Sequence, residues 1–281
     1  MSVVLQNVTF LEAGFCRQLA WMTGRRSWRI VRFYAVFVYF EHPQHGACLI
    51  DTGYSQAYLQ ATSRLPERMM RWLLPVNIRG TTSPSSSMRR AGLDPNEVRR
   101  IFISHFHGDH IGGLQDLTDC QFVYRRATYE TLSSLSKSAQ LKAGFLPALL
   151  PKDFAQRGDP VEETDFESGT GNIERFRVHD YWRDGSLQLV DLPGHALGHL
   201  GYLMNTACGT IFYVVDACWD MEVLRGGGRL PWLSQQVQHD YLSYRSTQSD
   251  LRDLLSAEQL DLVACHCPLT MRRVAEAIRS E

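Results

Sequence analysis

Residues 30–40 read IVRFYAVFVYF, a β-branched and aromatic run that predicts a strand. A polar turn over 41–46 and a second apolar strand over 47–50 follow, ending at Asp51-Thr52-Gly53. Over 55–74, Leu59, Leu65, Met69, Trp72 and Leu73 recur among Arg and Gln, which predicts helix broken at Pro66. Residues 81–87 are rich in Ser, Thr and Pro and read as loop. A short helix over 87–92 stopped by Gly92, a helix start at Asp94-Pro95 and a buried strand over 98–104 complete the first half.

The second half repeats the style. A short strand is expected at 122–124, a helix at 127–139, and irregular chain over 141–170, where Pro147, Pro151 and Pro160 fall. Strands then follow at 186–192, 200–205 and 210–215, a helix at 240–255, a strand at 260–264 and a helix at 269–280. Strands followed by helices in both halves predict sheet packed on sheet with helices outside. No linker divides the 281 residues, so a single domain is expected, with lid segments near 55–80 and 126–180.

Composition narrows the function. Lys plus Arg is 29 against 30 Asp plus Glu, so there is no strong overall field to gather nucleic acid or an anionic membrane, although local patches survive neutrality. Seven Cys, an odd number scattered through apolar stretches, fit free thiols in a reducing compartment better than a disulfide framework. The N-terminus MSVVLQNVTF has no basic start followed by an apolar run, so no secretory signal is expected, and the longest charge-free apolar stretch, 33–40, is far below the roughly 20 residues of a membrane span. A soluble, cytoplasmic protein acting on a small molecule, with neither nucleic acid nor membrane as a partner, is the expectation. The oligomeric state is not legible.

Candidate chemistry concentrates at Ser104-His105-Phe106-His107-Gly108-Asp109-His110, directly after a predicted strand. His105 and His107 alternate by two, so both rings can point the same way. Asp109 and His110 follow on a turn that Gly108 and Gly112-Gly113 allow to bend. Imidazole and carboxylate are ligands that divalent ions such as zinc favour. His195, Asp216 and His266 each sit just past a later predicted strand end, where side chains from several strands converge.

This pattern, HxHxDH followed by His, Asp and His at later strand ends, resembles the metallo-β-lactamase superfamily, in particular its glyoxalase II and N-acyl homoserine lactonase branches. The resemblance runs from Asp51 to His266 and includes Asp51-Thr52-Gly53, the approach 91–104, Asp184-Gly185-Ser186 and the stretch 193–199. It implies an α/β fold of αββα type, two stacked mixed β-sheets with helices on the outer faces. It also implies two divalent ions, zinc foremost with iron or manganese as alternatives. One would be held by His105, His107 and His195 and the other by Asp109, His110 and His266, with Asp216 bridging and Asp51 supporting from behind. His199 then reads as structural. The resemblance further implies that two such ions, about 3.5–4 Å apart, could share a hydroxide able to attack a carbonyl or phosphoryl centre, with Asp109 as proton shuttle.

The substrate is less legible. Where the lactonase branch carries an Asp-Ala-Ser-Tyr run, this chain has Asp216-Ala217-Cys218-Trp219. Trp219 has no phenol but can donate its indole N–H, or can simply pack the pocket wall. Met69, Trp72 and Phe145 are further pocket candidates, and with the apolar stretch 145–154 they suit a hydrophobic acyl group. A lactone, ester or thioester hydrolase is the leading expectation. A phosphodiesterase, a mononuclear iron dioxygenase and a non-catalytic sensor or regulator remain open. Cys265 and Cys267 flank His266, and strand alternation points both thiols away from it.

Overall fold

The computed structural model describes residues 3–79, 82–257 and 260–279. Gly80, Thr81 and Ser280, which fall in the lid, loop and helix expected above, lie outside them. Twelve strands form among the described residues. They are β1 (Gln6–Leu19), β2 (Ile30–His42), β3 (Gly46–Ile50), β4 (Val76–Asn77), β5 (Val98–Phe102), β6 (Gln121–Val123), β7 (Glu167–Ser168), β8 (Arg177–Asp180), β9 (Leu187–Asp191), β10 (Leu200–Thr206), β11 (Gly209–Val215) and β12 (Asp261–Ala264). They build two six-stranded sheets, ordered β4-β1-β2-β3-β5-β6 and β12-β11-β10-β9-β8-β7. Both sheets are mixed, with β3–β5, β5–β6 and β11–β12 parallel and the other strand pairs antiparallel.

Two buried faces per sheet explain why the strands look apolar throughout rather than alternating. In β2, Val36, Val38 and Phe40 point into the layer between the sheets, where they meet Leu189, Tyr202 and Tyr213. Ala35, Phe37 and Tyr39 face the opposite way, against Tyr58, Met88, Ile111 and Phe145. Phe212 and Val214 of β11 turn outward to Leu224, Leu251 and Leu254. Three packed layers of side chains thus separate helix, sheet, sheet and helix, as in the αββα sandwich expected.

The helices are α1 (Gln56–Ala61), α2 (Arg68–Leu73), α3 (Pro84–Arg90), α4 (Gly108–Ile111), α5 (Arg126–Ser134), α6 (Lys137–Lys142), α7 (Met221–Arg225), α8 (Trp232–Gln235), α9 (Tyr241–Ser256) and α10 (Thr270–Arg279). None of the described helices is long and apolar enough to cross a membrane.

Several elements depart from expectation. The 14-residue β1 has no counterpart among the strands read from the sequence. Register shifts at Gln6/Thr9 and Glu12/Phe15, with Gly14 at φ 85°, break the alternation that would have revealed it. The short β7 and β8 have no counterpart either, and they lie in the segment expected to be irregular and just after it. The helix expected over 87–92 begins earlier. Ser83 caps it by accepting from the Ser86 N–H, and Pro84 occupies the first helical position, so the Ser/Pro run is a helix start and not a loop. The helix expected over 127–139 is two, α5 and α6, because Leu135 is extended and Ser136 caps a new turn.

Candidate metal site

The candidate residues converge where strand ends from both sheets meet. His105 follows β5, and His107 is the N-cap of α4, which places Asp109 and His110 in its first turn. Gly108 and Gly112 serve close packing and not unusual dihedrals. The φ of Gly112 is −63°, and a Cβ there would lie 2.6 Å from the Gly108 carbonyl oxygen and 2.9 Å from that of Gly53.

Two groups of ring nitrogens result. His105 Nε2 lies 3.0 Å from His107 Nδ1, which lies 3.1 Å from His195 Nε2. These three nitrogens form one cluster, and His110, Asp216 and His266 form a second. Asp216 sits between them. Its Oδ2 is 3.3 Å from His195 Nε2 and 3.0 Å from His266 Nε2, and its Oδ1 is 3.6 Å from His110 Nε2. Asp109 Oδ2 stands 3.5 Å from His266 Nε2 and 3.7 Å from His110 Nε2.

Four of the five rings are aimed by their other nitrogen. His110 Nδ1 donates to Asp51 Oδ2 at 2.7 Å. His105 Nδ1 donates at 2.9 Å to Ser104 Oγ, whose own proton goes to Asp51 Oδ2 at 2.7 Å. His195 Nδ1 donates to Gln238 Oε1 at 2.9 Å, and His266 Nδ1 to the Tyr34 carbonyl at 2.7 Å. These partners set which nitrogen each ring turns toward the cluster, the one a metal would take.

Asp51 therefore stands behind His105 and His110, and its φ of 61° turns the carboxylate toward both. Val215 at φ 49°, beside a register shift between β11 and β12, turns Asp216 into the site. His199 Nε2 accepts the Asp216 backbone N–H at 3.2 Å, so it steadies Asp216 through the main chain.

The electrostatics divide along the same line. Burial holds His105 well below the usual imidazole pKa, with His110, His107 and His195 adding to the effect, and burial takes His195 down to about 3. Burial also lowers His107. Burial opposes charge on His110 too, but Asp109, Asp51 and Asp216 outweigh it and raise its pKa well above normal. Burial likewise opposes charge on His266, and Asp216 with Cys265 reverses the sign. Burial works against the Asp216 anion, yet His266 and His110 hold its pKa far down.

His110 Nε2 and Asp216 Oδ1 are buried and have no hydrogen-bond partner among the described residues. Unpartnered buried acceptors and donors are costly, and a divalent cation would satisfy both. Five imidazoles and two carboxylates in two adjoining groups fit one or two such ions.

A profile of the Metallo-beta-lactamase superfamily matches residues 31–207. The chain belongs to this superfamily. Among curated superfamily relatives, a gamma-lactamase of Fusarium pseudograminearum is 32 % identical over 132 residues, covering 44 % of this chain and 29 % of that one. The N-acyl homoserine lactonase of Bacillus thuringiensis is 23 % identical over 188 residues, covering 66 % of this chain and 65 % of that one. This chain therefore spans less than two thirds of the length of these relatives. A solved N-acyl homoserine lactone hydrolase, with N-hexanoyl-L-homoserine bound at its catalytic metal centre, superposes with a TM-score of 0.68 at 17 % identity, over 97 % of this chain and 96 % of that one. At that identity the superposition shows the shared superfamily fold.

The remaining site candidates are placed as follows. Trp219 is half-buried, with its ring centroid 5.7 Å from His195 and 5.6 Å from Phe33, and its Nε1 has no partner among the described residues. Phe33 itself stacks on His266 at 4.3 Å. Phe145 is buried against Phe106, and its backbone pairs with His107. Met69 and Trp72 stand exposed on α2.

Cys265 departs from the orientation that strand alternation predicts. β12 ends at Ala264, so alternation lapses there, and the Cys265 Sγ falls within 4.8 Å of the ligand atoms of His110, Asp216 and His266. Its thiol donates to the Val36 carbonyl at 3.4 Å. Cys267 packs away, in the outer layer with Met221 and Leu224. All seven cysteines are free. Gln238, Phe33 and the Tyr34 carbonyl were not singled out in the sequence. Nothing in the local pattern around them signals a metal, and only the fold brings them to His195 and His266.

Proposed function

We propose that this chain is a metal-dependent hydrolase that opens a lactone or cleaves a related ester or thioester, using two divalent ions, zinc foremost. The observation that carries the reading is Asp216, which lies within 3.0–3.6 Å of imidazole nitrogens from both clusters. In this reading His105, His107 and His195 would hold one ion, Asp109, His110 and His266 would hold the other, and Asp216 would serve both. When bound, such ions polarise the carbonyl and bring the pKa of a water near neutrality.

The chain's own groups do the rest. Asp109 has a side chain 21 % exposed, within reach of an entering substrate. Its Oδ2 faces the imidazoles, which leaves Oδ1 to take the proton of the attacking water and return it to the leaving oxygen. Trp219 Nε1–H, buried and unpartnered beside His195, donates to the carbonyl oxygen as negative charge gathers there. Replacing Trp219 with Phe keeps the ring packing and removes that donor. It is expected to lower kcat about 10- to 100-fold with metal content unchanged. Steady-state kinetics beside metal analysis checks this, and an unchanged kcat would reduce Trp219 to a packing residue.

The lactone reading draws on the relatives named above. The direct test is metal content on purified protein, beside turnover of lactone, thioester and phosphodiester substrates before and after chelation. Close to two metals and chelator-sensitive lactone turnover is the expected result. One iron per chain with oxygen uptake, or turnover of phosphodiesters alone, would overturn it.

A further inference from the structure

We infer that the rim around the candidate metal site is a docking surface for an anionic lipid membrane, formed by exposed tryptophans and arginines on three neighbouring segments. The first segment is the β1–β2 hairpin end, the second is α2, and the third is α8. The hairpin links the other two. α2 runs into β4, which pairs with β1 at Phe15 and Cys16, and the Arg17 N–H donates to the Pro75 carbonyl at 3.0 Å. On the other flank, Ser234 Oγ of α8 donates to the Met22 carbonyl of the hairpin end at 2.7 Å, and Arg25 pairs with Glu222 at 3.1 Å and with Asp220. The same hairpin reaches the site, where Phe33 stacks on His266.

The apolar side chains here do not pack inward. Trp28, Ile30, Trp72, Leu73, Trp232 and Leu233 are between 50 % and 76 % exposed. Three of the chain's six tryptophans thus stand in solvent within these three segments. Isolated exposed apolar residues are ordinary, but a grouped set of this size marks an interaction surface.

Charge selects the partner. The chain is near neutral overall, yet residues 17–32 hold five arginines and no carboxylate, and residues 64–79 hold four arginines against Glu67. Glu67 is taken by Lys137 at 2.9 Å. Every cation in the two stretches is Arg and none is Lys. Guanidinium binds phosphate in a bidentate fork, and tryptophan prefers the headgroup level of a bilayer. Side chains this exposed protrude, and a deformable lipid surface accepts protrusions without a matching pocket. An acidic protein would supply the charge but would need complementary hollows for each ring. Membrane docking would present the site mouth to amphiphilic substrates dissolved in the bilayer, and that last clause rests on the hydrolase reading.

The binding test needs no turnover, so its failure is distinct from failure of that reading. The full chain is sedimented with phosphatidylcholine vesicles containing phosphatidylglycerol, and with phosphatidylcholine alone. Expected are binding to the anionic vesicles only, weakening by salt and a blue shift of tryptophan emission. The Trp28→Ser/Trp72→Ser/Trp232→Ser variant should bind about tenfold more weakly or worse. If that variant does not fold, Arg26→Gln/Arg29→Gln/Arg68→Gln should show a comparable loss. No binding to anionic vesicles, or unchanged binding in the folded variants, overturns the inference. So does binding to polyglutamate as tight as to vesicles, which would point to an acidic protein instead.

Discussion

Asp109→Asn is expected to lower kcat by about 10³-fold while leaving most of the bound metal in place. Asparagine keeps the shape of the side chain and one carbonyl oxygen that can face His110 and His266, at the 3.7 and 3.5 Å seen for Asp109 Oδ2. What it loses is the second carboxylate oxygen and with it the capacity to accept and return a proton. Of the two carboxylates in the site, Asp109 is the one free to do this. Asp216 has only 4 % of its side chain exposed and is surrounded by His110, His195 and His266, so its oxygens are committed to the cluster. Single-turnover kinetics and metal analysis on the same preparation separate the outcomes. Normal turnover with full metal would remove Asp109 from proton transfer. Loss of turnover in step with loss of metal would make it a ligand only.

The parts of the site legible in the sequence are those packed into a short local motif. His105, His107, Asp109 and His110 lie within six residues after a strand, and their spacing alone places them together. His195, Asp216 and His266 share only a position past a strand end, so their convergence depends on how the two stacked sheets bring those strand ends together. The groups that aim them were less visible still. Gln238 lies 43 residues from His195 and reaches it because α9 folds back over the His195 loop. The support for His266 is a main-chain carbonyl, which every residue has and no sequence pattern can mark. The same limit hid β1, whose bulges and Gly14 disguise a strand that is long and well paired. Where burial on both faces makes strands apolar throughout, as in β2 and β11, the pattern was readable.

That loop carries the second large effect. Gly194→Ala is expected to destabilise the fold by about 3–5 kcal/mol, at the upper end of single substitutions. Gly194 has φ 126°, and a Cβ there would lie 2.1 Å from the Tyr244 backbone nitrogen and 2.3 Å from its Cα. Those atoms belong to the first turn of α9, which cannot yield like a side-chain tip. Asp240 caps the turn, and its backbone N–H donates to the Gly194 carbonyl at 2.9 Å, while the His239 N–H donates to the His195 carbonyl at 3.0 Å. Any displacement that relieves the clash therefore pulls His195 away from Gln238 and from His107, so metal held by the first cluster should fall with stability. Gly209→Ala supplies the control. Gly209 has φ 116°, and a methyl group placed there would have no neighbour within 4 Å, so alanine meets only the backbone penalty of about 1–3 kcal/mol. Urea unfolding of both variants divides conformational strain from steric exclusion. If Gly194→Ala lost no more than Gly209→Ala, the close approach of α9 to the His195 loop would not be what holds that histidine in place.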